Sequence, residues 1–174
     1  MSNREALRDL QNRLAVRLQA ARSDPASAAW LGVVVGTRHY LLPLRQAGEI
    51  FPIASVTHVP YAAAWFAGVV NLRGALYGVV DLAGYLGISV ARSESSWVEV
   101  RLITFNAELE INCALMVDGL AGLRRSEVFV QSSAAEPGSP AWLGQRYVDA
   151  QGVVWQVLDM RVLSQTTHFL NIGN

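Results

Sequence analysis

The chain has 174 residues, of which 52% are hydrophobic and 16% charged, so most of it must fold into one compact domain or two small subdomains. Its 14 basic side chains balance 14 acidic ones, which argues against a nucleic-acid-binding protein and against strong recruitment to an anionic membrane. All 14 basic side chains are arginine, which excludes chemistries that need a lysine, such as a Walker-type phosphate site, a kinase active site or a Schiff base.

Residues 4–22 predict an amphipathic helix, which the Ser, Asp and Pro residues of segment 23–27 then end. Leucines recur in it at helical spacing, at Leu7, Leu10, Leu14 and Leu18. Five arginines against two acids make this segment basic, and either it docks or lies in solvent, or it binds a partner helix. Arginines interrupt the start of the chain and no apolar stretch is long enough to span a bilayer, so we expect a cytoplasmic protein without membrane insertion.

From residue 29 onward, short apolar and β-branched runs alternate with Gly, Asn, Pro and Asp, which is typical of successive strands and turns. The chain therefore divides into an N-terminal helix and linker over residues 1–28 and a mainly β domain over 29–174. Many short strands at this spacing favour barrels or a sandwich. The predicted strands lie near residues 31–36, 40–44, 69–72, 76–80, 98–105, 110–117, 122–124, 144–148 and 153–158.

Two of these strands resemble each other. Residues 74–82 (GALYGVVDL) align without gaps with residues 152–160 (GVVWQVLDM). We predict that each is a strand leaving a tight glycine turn, and that Asp81 and Asp159 cap the short helices that follow. Either two related β modules or chance similarity in an apolar chain explains the match. Acid–base catalysis or a hard-metal site is the alternative role for these carboxylates, but neither has a second carboxylate or a histidine beside it in sequence.

No catalytic, metal-binding or cofactor-binding residue is predicted. Cys113, the only cysteine, lies in an alternating apolar run and reads as a buried structural thiol. The histidines have no metal-binding spacing. One alternative is a hydrolase with His58 or His168 as base, which also needs a nucleophile and an orienting group. Another is a small-molecule-binding β-barrel whose pocket is lined by tryptophans that core packing also explains: Trp65, Trp97, Trp142 and Trp155.

The most informative stretch runs from residue 48 to residue 87. It contains Glu49-Ile50, then Val59-Pro60, then GVVNLRG at residues 68–74, then VVDL at residues 79–82. This order resembles the CheW family of chemotaxis adaptors, in which a Glu-Ile pair, a Pro-containing loop, Gly-Val-x-Asn-Leu-Arg-Gly and Asp-Leu follow one another. A later apolar run ending in Val-Asp, at residues 113–119, is also similar, and the resemblance covers roughly residues 30–164.

The resemblance implies a mainly β, CheW-like domain over residues 29–174, built from two small five-stranded SH3-like barrels that share a core and follow a helical extension. It also implies a non-enzymatic adaptor that links the cytoplasmic tip of a chemoreceptor to a CheA-type histidine kinase, with the receptor's helical hairpin in a groove between the barrels. The long N-terminal extension and the Trp- and Ala-rich middle resemble the subgroup of type IV pilus, or twitching-motility, sensory systems that is usually called PilI.

Residues around the Asn-Leu-Arg-Gly segment are the candidate receptor-binding site. Asn71 is predicted to form the turn by tolerating unusual backbone angles, and Gly74 to let the chain reverse. Arg73 either pairs internally, with Glu49 as the natural partner, or faces a binding partner, and the resemblance implies that both residues lie at or near the receptor. Apolar contacts are expected from residues that also suit a core: Ile50, Val70 and Leu72. Residues that contact the kinase are not assigned.

Overall fold

The computed structural model describes residues 12–13, 16 and 30–173. Apart from positions 12, 13 and 16, the predicted N-terminal helix and its linker lie outside the described residues. The helical extension therefore stays a prediction.

The described residues form a mainly β protein, as predicted. Its strands are β1 Trp30–Val35, β2 Arg38–Pro43, β3 Ala47–Pro52, β4 Phe66–Leu72, β5 Ala75–Asp81, β6 Arg101–Phe105, β7 Cys113–Val117, β8 Gly119–Arg124, β9 Phe129–Ser133, β10 Leu143–Asp149 and β11 Val154–Leu158. Its α-helices are α1 Leu82–Tyr85, α2 Met160–Ser164 and α3 Thr167–Leu170, and its 3-10 helices are Ser96–Val98, Ala107–Leu109 and Ser126–Val128.

Each strand predicted from the sequence pattern overlaps an observed strand, whereas β3 and β9 were missed. In β3 the sequence AGEIFP includes Gly, Glu and Pro, which are depleted in strands and dilute the apolar pattern. In β9 the sequence FVQSS is short and largely polar. Both strands are specified by the neighbours they pair with, β6 and β10, more than by their own composition.

The strands form two sheets. Sheet A combines the first and last strands of the chain, and sheet B is built from the strands in the middle. Sheet A has six strands in the order β8-β1-β2-β11-β10-β9, and sheet B has five in the order β3-β6-β7-β5-β4. Sheet A thus differs from the predicted five strands, because β8 pairs along β1 at one edge while β9 extends the other edge beside β10. The whole of sheet B is inserted between β2 and β8.

The two similar segments occupy equivalent places in the two sheets. Each strand, β5 or β11, pairs antiparallel with the strand before it and parallel with a second strand, and a short helix follows. The backbone N–H of Asp81 donates to the carbonyl of Trp65, and that of Asp159 donates to the carbonyl of Trp142, both at 2.8 Å. Both tryptophans lie outside the nine aligned residues, so the similarity of the two segments extends beyond their sequence match and is a structural repeat.

The apolar core lies in two clusters on the two faces of sheet B. The larger cluster joins sheet A to sheet B through fully buried side chains such as Leu31, Leu42 and Leu115. The smaller cluster packs on the other face of sheet B and includes Val79 and Leu102. All of β7 is buried, which explains why it reads as a continuous apolar run. Cys113 lies there, and the prediction of a buried thiol is confirmed.

A close approach between β3 and β6 requires glycine at position 48. A Cβ on Gly48 would lie 2.3 Å from the Oγ1 atom of Thr104 and 2.7 Å from the carbonyl oxygen of Phe105. We therefore expect Gly48→Ala to lower the free energy of unfolding by about 1–3 kcal/mol, through displacement of one strand from the other. Urea denaturation measures this change.

Gly119→Ala is the matched control, since the nearest atom to an added Cβ there is 3.9 Å away. Its free energy of unfolding should change by no more than about 0.5 kcal/mol. Equal denaturation midpoints for the two variants would contradict the proposed steric requirement.

Candidate functional site

The candidate site is built on the tip of the β4–β5 hairpin. The strands pair down to Leu72↔Ala75, which leaves Arg73 and Gly74 as the connecting residues. Their φ angles are +51° and +86°, which is the backbone geometry of a type I′ hairpin turn. Asn71 accepts a hydrogen bond from the Gly74 N–H through its side-chain Oδ1 atom at 2.9 Å.

The role predicted for Asn71 is corrected in one respect. Asn71 lies within β4, and the left-handed backbone angles fall on Arg73 and Gly74 instead. Its contribution to the turn is the side-chain acceptor, as short polar residues commonly supply. Gly74 reverses the chain as predicted, at an open position where an added Cβ would meet no atom within 4 Å.

Arg73 and Glu49 form an ion pair at this tip. The Nη1 atom of Arg73 lies 2.5 Å from the Oε2 atom of Glu49, and the Arg73 guanidinium also lies over the Phe51 ring, 5.3 Å from its centroid. The two charged side chains remain 73% and 56% exposed. Since exposed ion pairs contribute about 0–1 kcal/mol, this pair adds little to stability and orients two charges toward solvent. We call Glu49, Phe51 and Arg73 the hairpin-tip surface.

Sheet B holds the Glu49 side of this surface in place. The backbone N–H of Glu49 donates to the Oγ1 atom of buried Thr104 at 2.8 Å. Beside Glu49 lies an open hollow of about 320 Å³, which Tyr77 and Glu110 also line. Two carboxylates with one phenol make this hollow acidic and partly apolar.

The remaining predicted receptor-binding residues lie beneath this surface. Val70 and Leu72 are only 2% and 6% exposed and belong to the smaller core cluster. The structure supports the core alternative for both residues, because alternation along β4 turns them inward and leaves Asn71 between them outward. Ile50 is half-buried and packs against the larger cluster. Phe51 was missed by the sequence interpretation, although its place next to the Glu-Ile pair is a usable signal.

A second charged cluster joins the two sheets. Arg92 donates through Nη1 and Nη2 to both carboxylate oxygens of Asp81, at 2.9 and 2.8 Å, and through Nε to Asp118 at 2.6 Å. The other oxygen of Asp118 accepts the backbone N–H of Gly36 at 2.7 Å, so the cluster ties the β1–β2 turn to β5 and β7. The hydrogen bonds that Arg92 donates to Asp81 raise the pKa of its guanidinium further above its usual range.

The predicted helix-capping roles have different outcomes for the two aspartates. Asp159 accepts a hydrogen bond from the Val162 N–H at 3.0 Å, and its cap is confirmed. Asp81 occupies the same position before α1, but its side chain makes no capping hydrogen bond. Its capping role is corrected, because Arg92 takes both of its carboxylate oxygens. Arg92 itself was missed, since its contact with Asp118 is separated by 26 residues and no local motif marks it.

The surroundings of Cys113 and His168 bear on the hydrolase alternative. Burial raises the pKa of the Cys113 thiol to about 12, which leaves a thiol and not a thiolate near neutral pH. The His168 ring packs 5.6 Å from Trp65 and 5.3 Å from Tyr85, among aromatic rings. Within the described part of the chain, no group of three or more His, Cys, Asp and Glu side chains is placed to hold a metal ion.

Two tryptophans of the small-molecule alternative, Trp65 and Trp142, pack against the same Tyr85 ring, and the other two lie in different surroundings. Trp65 and Trp155 are buried, whereas Trp97 is 40% exposed. The larger surface hollow, of about 600 Å³, is lined by polar residues including Arg38, Arg146 and Gln156, and by none of the four tryptophans. Core packing and surface exposure therefore account for these rings better than a shared pocket does.

Among the described residues, no helix has the length and apolar character needed to cross a membrane.

Comparisons with known proteins give consistent results. A family model described as a CheW-like domain matches residues 29–167. The protein PilI of Pseudomonas aeruginosa is 27% identical over 166 residues, which cover 92% of this chain and 89% of that protein. A probable chemotaxis protein CheW of Rhizobium etli is 33% identical over 57 residues, covering 33% of this chain and 37% of that protein.

A solved structure supports the fold independently. The crystal structure of the scaffolding protein TtCheW from Thermoanaerobacter tengcongensis has a TM-score of 0.62 to this chain, and the match covers 75% of this chain and 88% of that one. The sequence identity in that comparison is 18%, so it supports the fold alone.

Proposed function

The chain belongs to the CheW-like domain family, and from this we propose that it is a non-catalytic adaptor linking a chemoreceptor to a CheA-type histidine kinase. The similarity to PilI across 92% of the chain supports the PilI subgroup. We accordingly propose that the adaptor is cytoplasmic and acts in a chemosensory pathway that controls twitching motility by type IV pili. No cofactor takes part, since the adaptor makes and breaks no bond.

The exposed Arg73–Glu49 pair is the observation that carries the proposal. Both residues belong to the motifs that resemble the family. Their ion pair contributes little to the stability of the fold, because both side chains remain largely in solvent. A hairpin turn and a buried Thr104 fix their positions from two sides. Charged groups that are fixed in position and exposed to solvent are suited to recognising a partner, whereas they contribute little to folding. We propose that this surface contacts the cytoplasmic tip of the receptor.

The finer architecture is also part of the proposal. Sheets A and B, packed across the larger core cluster, correspond to the two SH3-like barrels of a CheW-like domain that occupies residues 29–174. The N-terminal helix and linker over residues 1–28 stay a prediction from the sequence. Two β units with a shared core give an adaptor distinct surfaces for distinct partners, which raises the effective concentration of one partner near the other.

A bridging assay tests the proposed function. Immobilised receptor cytoplasmic fragment should retain the cognate kinase when the chain is added, and should retain less kinase when the chain is omitted. Bridging should saturate and then decline at excess adaptor, because separate binary complexes then form. If the chain binds neither the receptor fragment nor the kinase, the adaptor function is refuted.

The small-molecule-binding barrel is the alternative proposal. It predicts that a metabolite ligand raises the thermal denaturation midpoint of the protein. It also predicts that the immobilised receptor fragment retains the same amount of kinase whether or not the chain is added. The hollow of about 600 Å³ would be its site, lined by Arg38 and Arg146 rather than by the tryptophans.

A further inference from the structure

The segment between α1 and β6 presents two exposed apolar side chains from a tightly held turn. Trp97 and Val98, in the 3-10 helix Ser96–Val98, are 40% and 57% exposed. The Ser96 hydroxyl donates to the Ser93 carbonyl at 2.9 Å, and the Nη1 atom of Arg101 donates to the Val98 carbonyl at 2.6 Å. These bonds fix the backbone on both sides of the apolar pair.

Arg92 anchors the same turn to both sheets. Its guanidinium carbon lies 5.5 Å from the centroid of the Trp97 ring, while its nitrogens bind Asp81 and Asp118. The Trp97 ring therefore rests on a cation that is itself fixed by two carboxylates. A side chain ordered before binding loses little conformational entropy when a partner covers it, and exposed tryptophans of this kind often dominate interface energies.

Acidic residues flank the apolar pair. Glu94 and Glu99 are exposed, and neither forms an ion pair within the described part of the chain. Together with Trp97 and Val98 they form what we call the Trp97 surface. Its complement is an apolar pocket with arginine or lysine side chains at the rim.

The Trp97 surface and the Arg73–Gly74 turn lie at opposite ends of strand β5, whereas Phe51 pairs with Leu102 at the end of sheet B that is nearer the Trp97 surface. Strand β5 begins beside the Arg73–Gly74 turn and ends at Asp81, which binds Arg92 directly. At about 3.3 Å per residue, the seven residues of this strand separate its two ends by about 20 Å. The Trp97 surface shares no residue with the hairpin-tip surface.

We infer that the Trp97 surface is the contact for the second protein partner of the adaptor, the kinase, through an apolar pocket rimmed by basic side chains. This inference rests on the adaptor function proposed above, because an adaptor that bridges two proteins needs two separate surfaces. The apolar pair supplies the affinity, and the flanking carboxylates orient the partner and speed its association.

The test measures binding of the full chain to the full-length kinase and, separately, to the receptor cytoplasmic fragment. The double variant Trp97→Ala/Val98→Ser should bind the kinase at least about 30-fold more weakly, as expected for loss of a tryptophan hot spot. Its receptor affinity should stay within about twofold of the parent, because the contact residues of that partner are untouched. Val130→Ser, at a 65% exposed apolar residue of β9, is the matched control and should change neither affinity.

A second variant keeps the inference falsifiable if the first one misfolds. Glu94→Arg/Glu99→Arg alters only exposed side chains, and it should weaken kinase binding about tenfold at low salt, with the loss shrinking as salt is added. Parent-like kinase binding by both variants would overturn the inference while leaving the adaptor function intact. A parent dimer that either variant dissociates would assign the surface to a second copy and would also overturn it. If the parent binds neither protein, the adaptor function fails and this inference fails with it.

Discussion

Arg92→Met is expected to lower the free energy of unfolding by about 3–5 kcal/mol, because it leaves two carboxylates in a nearly dry site without their cation. The side chains of Asp81 and Asp118 are only 22% and 14% exposed, and Arg92 is the cation that binds both. Methionine keeps much of the aliphatic packing of arginine, so the loss measures the charge and hydrogen bonds more than the volume. Thermal denaturation should show a midpoint lower by roughly 10 °C.

Arg146→Met is the matched control for this prediction. Arg146 also pairs with a carboxylate, that of Glu136, but Glu136 is 69% exposed and water can replace the lost partner. We expect a loss of about 0–1 kcal/mol there. Adding Asp81→Asn and Asp118→Asn to Arg92→Met should restore part of the lost stability, since no unpaired charge then remains. Equal midpoints for Arg92→Met and Arg146→Met would contradict the proposed role of the cluster.

Arg73→Glu should weaken binding of the receptor cytoplasmic fragment by at least about tenfold, because it places a second negative charge beside Glu49 at the proposed contact. The fold should survive, with a change in unfolding free energy of about 1 kcal/mol or less, since both side chains of the pair are largely exposed. Binding of labelled receptor fragment, together with urea denaturation of each variant, measures both effects.

A charge swap separates an internal ion pair from a direct receptor contact. Glu49→Arg combined with Arg73→Glu rebuilds an ion pair with its polarity reversed. If the pair only supports the hairpin, the double variant should bind the receptor fragment like the parent. We expect instead that the swap restores little of the lost affinity, because the charges that the receptor meets are exchanged. Parent-like binding by Arg73→Glu itself would refute the assignment of this surface.

The sequence predicted the fold better than it predicted the chemistry of the candidate site. Alternation and turn residues located most strands, and the GALYGVVDL repeat located the equivalent hairpins of the two sheets. Those signals are local, so a single sequence contains them. The strand β3 escaped because the properties that place it, a close approach over Gly48 and pairing with β6, involve residues about 55 positions away.

Long-range partners account for the other differences. The sequence shows that Val70 and Leu72 alternate with Asn71, but both faces of sheet B carry apolar cover, and only the packed structure decides which positions are surface. Asp81 and Asp159 occupy matching positions, and Asp81 departs from the capping role because Arg92 reaches it from a loop. An arginine in an irregular segment has no periodicity to reveal such a contact.

The insertion of sheet B between β2 and β8 constrains the order in which the newly made chain can acquire its structure. Strands β3 to β7 are contiguous and can associate as soon as residue 117 has emerged from the ribosome. Strand β2 can pair with β1 early, but its pairing with β11 forms late. In that pairing Tyr40 lies opposite Gln156 in a parallel register, which closes a very long loop. Until the last strand emerges, the edge of β2 that will receive it stays open, and the nascent protein is most prone to mispairing during that interval.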